Sequence, residues 1–201
     1  MATNREFGSR DSLGDYVAVG IDQSLTGFAF AVIDMADPAQ YYVNVYKSPY
    51  SGVQRLSDID NFLFEQMSAL SGKGITDVAM EGTVLASNSA LVLGELSATV
   101  KLFFYDYFNG TNQVYPSPAP HLRTPLQIPP MTLKKYASGK GTSKKQEMLL
   151  QIYKRYGVEF NDDNAADAYA LARLAGTFSI DEIEQKVVEQ VQDPKYRDSL
   201  V

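Results

Sequence analysis

Two apolar segments joined by a short polar turn constrain the fold of this chain more than any other feature. The first segment covers residues 17–21 and ends at Asp22, and the chain returns through Gly27 as a second apolar segment that ends at Ile33. Apolar runs of this length, joined by small polar residues, predict a β-hairpin. Asp22 then lies at the open end of the first strand, with an apolar sheet behind it and solvent in front, which suits a metal ligand.

The rest of the pattern predicts one α/β domain over residues 16–201, preceded by a flexible polar tail over residues 1–15. Strands are predicted at 16–22, 27–34, 41–47, 75–81 and 113–115, and helices at 53–70, 85–108, 132–137, 143–156, 162–175 and 179–191. The proline-rich residues between Tyr115 and Met131 are predicted to form a loop. Three antiparallel strands, followed by strands that alternate with helices, predict a sheet of mixed direction.

The composition excludes several kinds of site. The 201 residues include no cysteine and one histidine, His121, which we expect to be an exposed loop residue. Disulfides, thiolate nucleophiles and Cys/His zinc sites are therefore excluded, as is a histidine-based triad that does not use His121. A metal ion in this chain would be held mainly by oxygen, which points to Mg²⁺ or Mn²⁺. No apolar run approaches the ~20 residues that a membrane span needs, so no membrane association is expected.

Four acidic residues lie where a predicted strand ends or on a helix rich in alanine. Asp22 and Glu81 end two strands that can be neighbours in the sheet, while Asp163 and Asp167 are four residues apart and share one helix face. Bringing four carboxylates together without a cation raises their pKa values by mutual repulsion. A pair of divalent ions removes this repulsion and supplies what phosphodiester hydrolysis requires. The pattern therefore predicts a metal site.

The charge distribution indicates a surface for phosphate. The net charge is −6, but residues 131–157 contain seven Lys or Arg residues and a single acid. Glycines among these cations would allow backbone N–H groups to approach a phosphate, although a solvated helix face would show the same charges. The Walker spacing is missing, which disfavours nucleotide hydrolysis. The candidate DNA-binding residues are Lys134, Lys135, Lys140, Lys144 and Lys145.

Four segments together resemble the RuvC-type Holliday junction resolvases of the ribonuclease H-like superfamily, particularly the phage-encoded members. The segments are Gly20-Ile-Asp-Gln-Ser-Leu-Thr-Gly27, Met80-Glu81 with Asn88-Ser-Ala and Leu93-Gly-Glu95 downstream, Gly139-Lys-Gly-Thr-Ser-Lys-Lys145, and Asp163-Asn-Ala-Ala-Asp-Ala168. They follow one another in the order of the family's motifs and span most of the chain. The resemblance implies a ribonuclease H-like fold, with a mixed sheet flanked by helices.

The resemblance also implies an activity and its residues. Asp22, Glu81 and Asp167 match the family's acidic motif positions, and Asp22 would bridge two Mg²⁺ ions, for which Mn²⁺ can substitute. The family often has Asp or His three residues before the last aspartate, where this chain has Asn164, so Asp163 is expected to complete the catalytic site. Lys145 matches a lysine close to the scissile phosphate. The implied protein is a homodimer that nicks four-way DNA junctions in the cytoplasm of a bacterium or a phage-infected host.

Other functions remain open from the sequence. A ribonuclease H-like enzyme can also cut RNA, RNA–DNA hybrids or flapped DNA, and Asn164 is compatible with a degenerate, junction-binding protein without activity. A sugar-kinase-like ATPase also begins with a Gly-Ile-Asp hairpin, but its phosphate-binding motifs are absent here. Val84 and Leu85 are the nearest candidates for an apolar wedge that enters the junction.

Overall fold

A six-stranded mixed sheet forms the centre of the molecule, for which the computed structural model describes residues 2–82, 90–109 and 124–198. The strand order is β1-β4-β3-β2-β5-β6, in which β2, β3 and β4 pair antiparallel, whereas β5 pairs parallel with β2 and β6 pairs parallel with β5. The strands are β1 (Thr3–Gly8), β2 (Tyr16–Asp22), β3 (Phe28–Asp34), β4 (Tyr41–Lys47), β5 (Gly74–Glu81) and β6 (Leu126–Ile128). The predicted α/β sheet of mixed direction is confirmed.

Helices cover both faces of the sheet and enclose two apolar cores. One core lies between the sheet and α1 and α2, and the other lies between the sheet and α3 to α6. The helices are α1 (Gly52–Ser68), α2 (Ala90–Asn109), α3 (Pro130–Ser138), α4 (Lys145–Tyr156), α5 (Asp163–Ala175), α6 (Glu182–Gln192) and α7 (Pro194–Asp198), with a 3₁₀ turn at Arg10–Ser12. Within the described ranges, no helix is long and apolar enough to cross a membrane.

Helix α5 lies against β2 because small residues face each other at their contact. A Cβ atom placed on Gly20 would lie 2.1 Å from the carbonyl oxygen of Ala168 and 2.3 Å from the amide nitrogen of Ala172. Neither backbone atom can move without shifting the helix. The alanines of α5 thus allow the close approach to the sheet that the sequence predicted, and this approach brings Asp167 to the end of β2.

The variant Gly20→Ala tests this contact. We expect it to lower the free energy of unfolding by about 2 kcal/mol, because the added methyl group overlaps the backbone of α5. Gly94→Ala adds the same methyl group to a position on α2 where no atom of the described residues lies within 4 Å, and it should stabilise the protein by up to about 1 kcal/mol through helix propensity. Urea unfolding followed by circular dichroism measures both values. Equal stabilities of the two variants would contradict the close contact.

The prediction of a flexible tail over residues 1–15 is wrong for Thr3–Gly8, which forms the edge strand β1. This strand pairs antiparallel with β4 in a register that places Thr3 opposite Lys47 and Gly8 opposite Tyr42. Its sequence has a single large apolar residue, Phe7, so it shows no apolar alternation. The strand forms because its backbone pairs with the exposed edge of β4. Backbone pairing leaves no pattern in the side chains, so the polar sequence gives no sign of a strand.

Several predicted boundaries also differ from the structure. Strand β6 lies within the stretch predicted to be a loop, and α4 begins at Lys145 rather than at residue 143. The buried Ser143 hydroxyl instead lies 2.8 Å from that of Ser138 and holds the turn before α4. Helix α6 begins after Asp181, whose side chain caps it, and not at residue 179. The predicted strand 113–115, His121 and the wedge candidates Val84 and Leu85 lie outside the described residues.

Candidate active site

A cleft of about 370 Å³ lies where β2 and β5 end, beneath the start of α5. Two strands, four helices and the turn of the first hairpin contribute side chains to it. Its lining consists of Asp22, Gln23, Ser24, Leu25, Thr26, Glu81, Leu93, Pro130, Lys134, Lys145, Met148, Leu149, Asp163, Asn164, Ala166 and Asp167. The structure therefore brings all four predicted carboxylates into one cleft, together with two of the five predicted lysines.

Asp22 and Glu81 form the floor of the cleft. Their strands are parallel neighbours with Ile21 opposite Met80, so both carboxyl groups leave the sheet at the same edge. The two carboxyl groups lie close enough to share a proton, a contact that acts to raise the pKa of Asp22 and to lower that of Glu81. The buried Gln23 donates from Nε2 to the backbone oxygen of Glu81 over 2.6 Å, which ties the end of β2 to the end of β5.

The acidic groups repel one another in a poorly solvated place. Asp22 is 4% exposed, and burial, followed by the charges of Glu81 and Asp167, raises its pKa well above the ordinary value. Burial raises the pKa of Asp167 to about 7, with the charges of Glu81 and Asp163 acting in the same direction. Burial also raises the pKa of Glu81, while its bond to Asp22 and two nearby lysines oppose the shift. Ionising all of these carboxyl groups together is therefore unfavourable in the absence of a cation.

The first turn of α5 supplies the remaining acid. Asp163 is its first residue, and its carboxylate forms an ion pair with Lys145 at the start of α4. This contact, more than any other, raises the pKa of Lys145. Asn164 follows Asp163, and its amide group lies against Gly27, where a Cβ atom would come within 2.7 Å of Nδ2. Both Asp163 and Asn164 line the cleft.

The five predicted DNA-binding lysines separate into two groups. Lys134 and Lys145 line the cleft, and their charges oppose the raised pKa values of Glu81 and Asp167. The other three, Lys135, Lys140 and Lys144, are exposed and do not line the cleft. Lys134 and Lys145 therefore stabilise the ionised forms of Glu81 and Asp167, while the other three lysines lie on the surface of the basic segment 131–157.

The donor set suits a hard divalent cation. Its carboxylate and amide oxygens are ligands that Mg²⁺ and Mn²⁺ prefer. The acid pKa values are raised by burial and by mutual repulsion, and a bound cation would offset both effects. Within residues 2–82, 90–109 and 124–198, however, no three acidic or histidine side chains already form a metal cage. One of the four acids, Asp163, is instead paired with the ammonium group of Lys145.

Sequence reasoning missed the apolar side of the cleft. Leu93 of α2 and Met148 and Leu149 of α4 lie among its lining residues. The helical periodicity of α4 predicts that Met148 is buried, as it is. The same periodicity, however, assigns a buried residue to the core and not to a functional site. Gln23 was also missed, although it directly follows Asp22 in the first motif. The lining of the cleft is therefore both acidic and apolar.

Two solved structures of RuvC from Thermus thermophilus resemble this chain. One, T. thermophilus RuvC in complex with Holliday junction substrate, is 20% identical with a TM-score of 0.55, and the match covers 78% of this chain and 90% of that chain. The other, a Thermus thermophilus RuvC structure, is 17% identical with a TM-score of 0.56 and coverages of 88% and 97%. No family model and no curated protein sequence matches the chain. The structural likeness shows a RuvC-type fold and confirms the expected ribonuclease H-like sheet.

Proposed function

We propose that this protein is a metal-dependent endonuclease that resolves four-way or otherwise branched DNA. The observation that carries the proposal is the convergence of Asp22, Glu81, Asp163 and Asp167 in one cleft beside Lys134 and Lys145. The RuvC-type fold supports the same activity, since one of the similar structures is that of a RuvC protein in complex with a Holliday junction substrate.

The proposed cofactor is Mg²⁺, two ions per site, with Mn²⁺ as a substitute. Asp22, Glu81 and Asp167 would hold the ions, and Asp163 would join them once it leaves Lys145. When bound, such ions activate a water and neutralise charge on the oxygens of the reacting phosphate. The raised pKa values of Asp22 and Asp167 support this assignment, because they indicate an energetic demand for positive charge in the cleft.

The chain's own residues have separate tasks in this proposal. The pairing of their strands fixes the backbones of Asp22 and Glu81 next to each other, so both carboxylates would be available to the same ions. The ammonium groups of Lys134 and Lys145 stabilise negative charge on the phosphate and on the leaving 3′ oxygen. The products would carry 5′-phosphate and 3′-hydroxyl ends. The exposed Lys135, Lys140 and Lys144 would contact the phosphates of a junction arm outside the cleft.

A homodimer would give the paired nicks that resolution requires. Helix α2 has an exposed face that contains Leu91, which is 78% exposed, Leu102, which is 61% exposed, and Tyr105, which is 48% exposed. At 3.6 residues per turn they lie on one side of the helix and form an apolar stripe that also contains the exposed Glu95. Pairing of this stripe with its copy through a twofold axis would place two clefts on symmetric strands of one junction.

A cleavage panel tests the function directly. The purified protein is incubated with Mg²⁺ and with a mobile four-way junction, a flap, an RNA–DNA hybrid or a linear duplex, all end-labelled on each strand. We expect paired nicks at symmetric positions of the four-way junction on a denaturing gel, and no cleavage in EDTA. Preferred cleavage of the hybrid would replace the proposed substrate. Junction binding without cleavage in either Mg²⁺ or Mn²⁺ would indicate a degenerate, junction-binding protein.

The two groups of lysines are expected to affect different steps. Lys145→Ala should lower kcat for junction cleavage by roughly 10- to 100-fold, because it removes a charge at the reacting phosphate. Lys140→Ala should instead weaken junction binding and reduce its salt dependence by about one counterion, with kcat preserved. Single-turnover cleavage and fluorescence anisotropy over a range of salt concentrations measure these effects. Identical kinetic defects in both variants would show that the division into two groups is wrong.

A further inference from the structure

The side chains of the edge strand β1 point alternately to the two faces of the sheet. Glu6 accepts a hydrogen bond of 2.7 Å from the hydroxyl of Tyr42, which belongs to the core on the α1 side. Phe7 packs against the opposite core, which contains α5. Because side chains alternate along a strand, Arg5 lies on the same face as Phe7, and Asn4 lies on the same face as Glu6. Two consecutive side chains of one face are thus directed toward α5.

Arg5 contacts the residue that caps α5. Its Nη1 donates to Oδ2 of Asp162 over 3.1 Å. The other carboxylate oxygen of Asp162, Oδ1, accepts from the backbone amides of Asn164 at 3.0 Å and Ala165 at 3.4 Å. One carboxylate therefore joins β1 to the first turn of the helix, and it does so directly before Asp163.

A second contact holds the same segment two residues earlier. The ring of Phe7 lies edge-on to that of Phe160, with centroids 5.4 Å apart, and Phe160 also contacts Tyr41 at 5.7 Å. Its ring further lies 5.4 Å from that of Tyr169 in α5. The chain that enters α5 is thus fixed by β1 at two points, one apolar and one charged.

We propose that Arg5 is a positioning residue of the acidic cleft: it orients Asp162, and through this cap it holds the first turn of α5 so that Asp163 stays at the cleft. The link to metal binding rests on the function proposed above, whereas the link to the helix turn stands on the contacts alone. The Arg5 side chain is 57% exposed, and exposed ion pairs contribute little to overall stability. The effect of losing Arg5 should therefore be local to the first turn.

Arg5→Ala and Arg5→Lys test this role, and Asn4→Ala is the matched control on the other face of the same strand. We expect the amides of Asn164 and Ala165 to exchange hydrogen about fivefold faster in Arg5→Ala, as is typical of a weakened helix cap. Exchange of the central strand amides and the unfolding midpoint in urea should stay unchanged. Arg5→Lys should restore most of the protection, and Asn4→Ala should match the wild type.

Calorimetric titration of the DNA-free protein with Mn²⁺ provides the second measurement. Affinity should fall about threefold in Arg5→Ala and recover in Arg5→Lys. Loss of a nearby positive charge would by itself raise the affinity for a cation, so a fall identifies positioning rather than electrostatics. Unchanged exchange at Asn164 and Ala165 in Arg5→Ala would overturn the inference. This holds even if the variant binds DNA more weakly, because Arg5 would then act as a DNA contact and not on the helix. If wild-type protein bound no Mn²⁺, the proposed function would fail, and amide exchange alone would decide the role of Arg5.

Discussion

Replacing Asp22 by asparagine is expected to lower junction cleavage by about a thousandfold, which corresponds to roughly 4 kcal/mol of transition-state stabilisation. Asparagine keeps the size of the side chain but removes the charge that would hold a divalent ion at the end of β2. Junction binding in Ca²⁺ should remain within about threefold of wild type, because in the proposed function the exposed lysines would supply the contacts to the arms. Single-turnover cleavage and anisotropy measure the two quantities.

A matched acid outside the cleft distinguishes a metal role from a general effect of charge. Asp60 lies on the exposed side of α1, whereas α5 packs on the other face of the sheet. Asp60→Asn changes the net charge of the protein by the same amount as Asp22→Asn, and it should cleave junctions at the wild-type rate. If Asp22→Asn also kept the wild-type rate in Mg²⁺, the proposed metal role of Asp22 would be wrong.

The metal-free protein is expected to lose stability as the pH rises from about 4 to about 7. Burial raises the folded-state pKa of Asp167 to about 7 from its ordinary value of 3.8, so the folded chain keeps a proton that the unfolded chain has already lost. The free energy of unfolding therefore falls through this window. The contribution is complete below pH 4 and lost above pH 7, with a size on the order of 3 kcal/mol. The raised pKa values of Asp22 and Glu81 act in the same direction.

Thermal unfolding in EDTA at pH 5 and pH 8 measures this loss. Asp167→Asn removes the buried charge, so it should raise the midpoint at pH 8 by about 5 to 10 °C and leave the midpoint at pH 5 nearly unchanged. Glu182→Gln changes an exposed acid of α6 and is the control, with no expected gain at pH 8. Addition of Mg²⁺ at pH 8 should stabilise the wild type more than Asp167→Asn. A wild-type midpoint that rises with pH in EDTA would contradict the raised pKa.

Local sequence signals were sufficient for the centre of the fold and for three acids of the cleft. Asp22 and Glu81 end apolar strands, and Asp167 lies among alanines of a helix, so each position is visible in a window of a few residues. The pairing of β2 with β5 then follows from the predicted strand order. These features depend on the backbone pattern, which is the part of a structure that sequence periodicity reports best.

Contacts between distant residues were not predictable in the same way. The ion pair of Lys145 with Asp163 joins two helices, and that of Arg5 with Asp162 spans 157 residues of chain. Neither pair has a spacing that marks it, since both form only after the helices and the edge strand have packed. The same reason explains why β1 was mistaken for a tail, as its partner strand lies more than 30 residues away.

The direction of β1 has a practical consequence for recombinant work. Thr3 lies opposite Lys47, and the end of β4 lies at the same edge of the sheet as Asp22. A purification tag or fluorescent protein fused ahead of Thr3 will therefore emerge at the same end of the sheet as the cleft, three strands away from Asp22, where it competes for space with a ligand large enough to extend across that end. Nuclease assays on tagged protein can consequently give false negatives, and the fusion should be cleaved off before inactivity is interpreted.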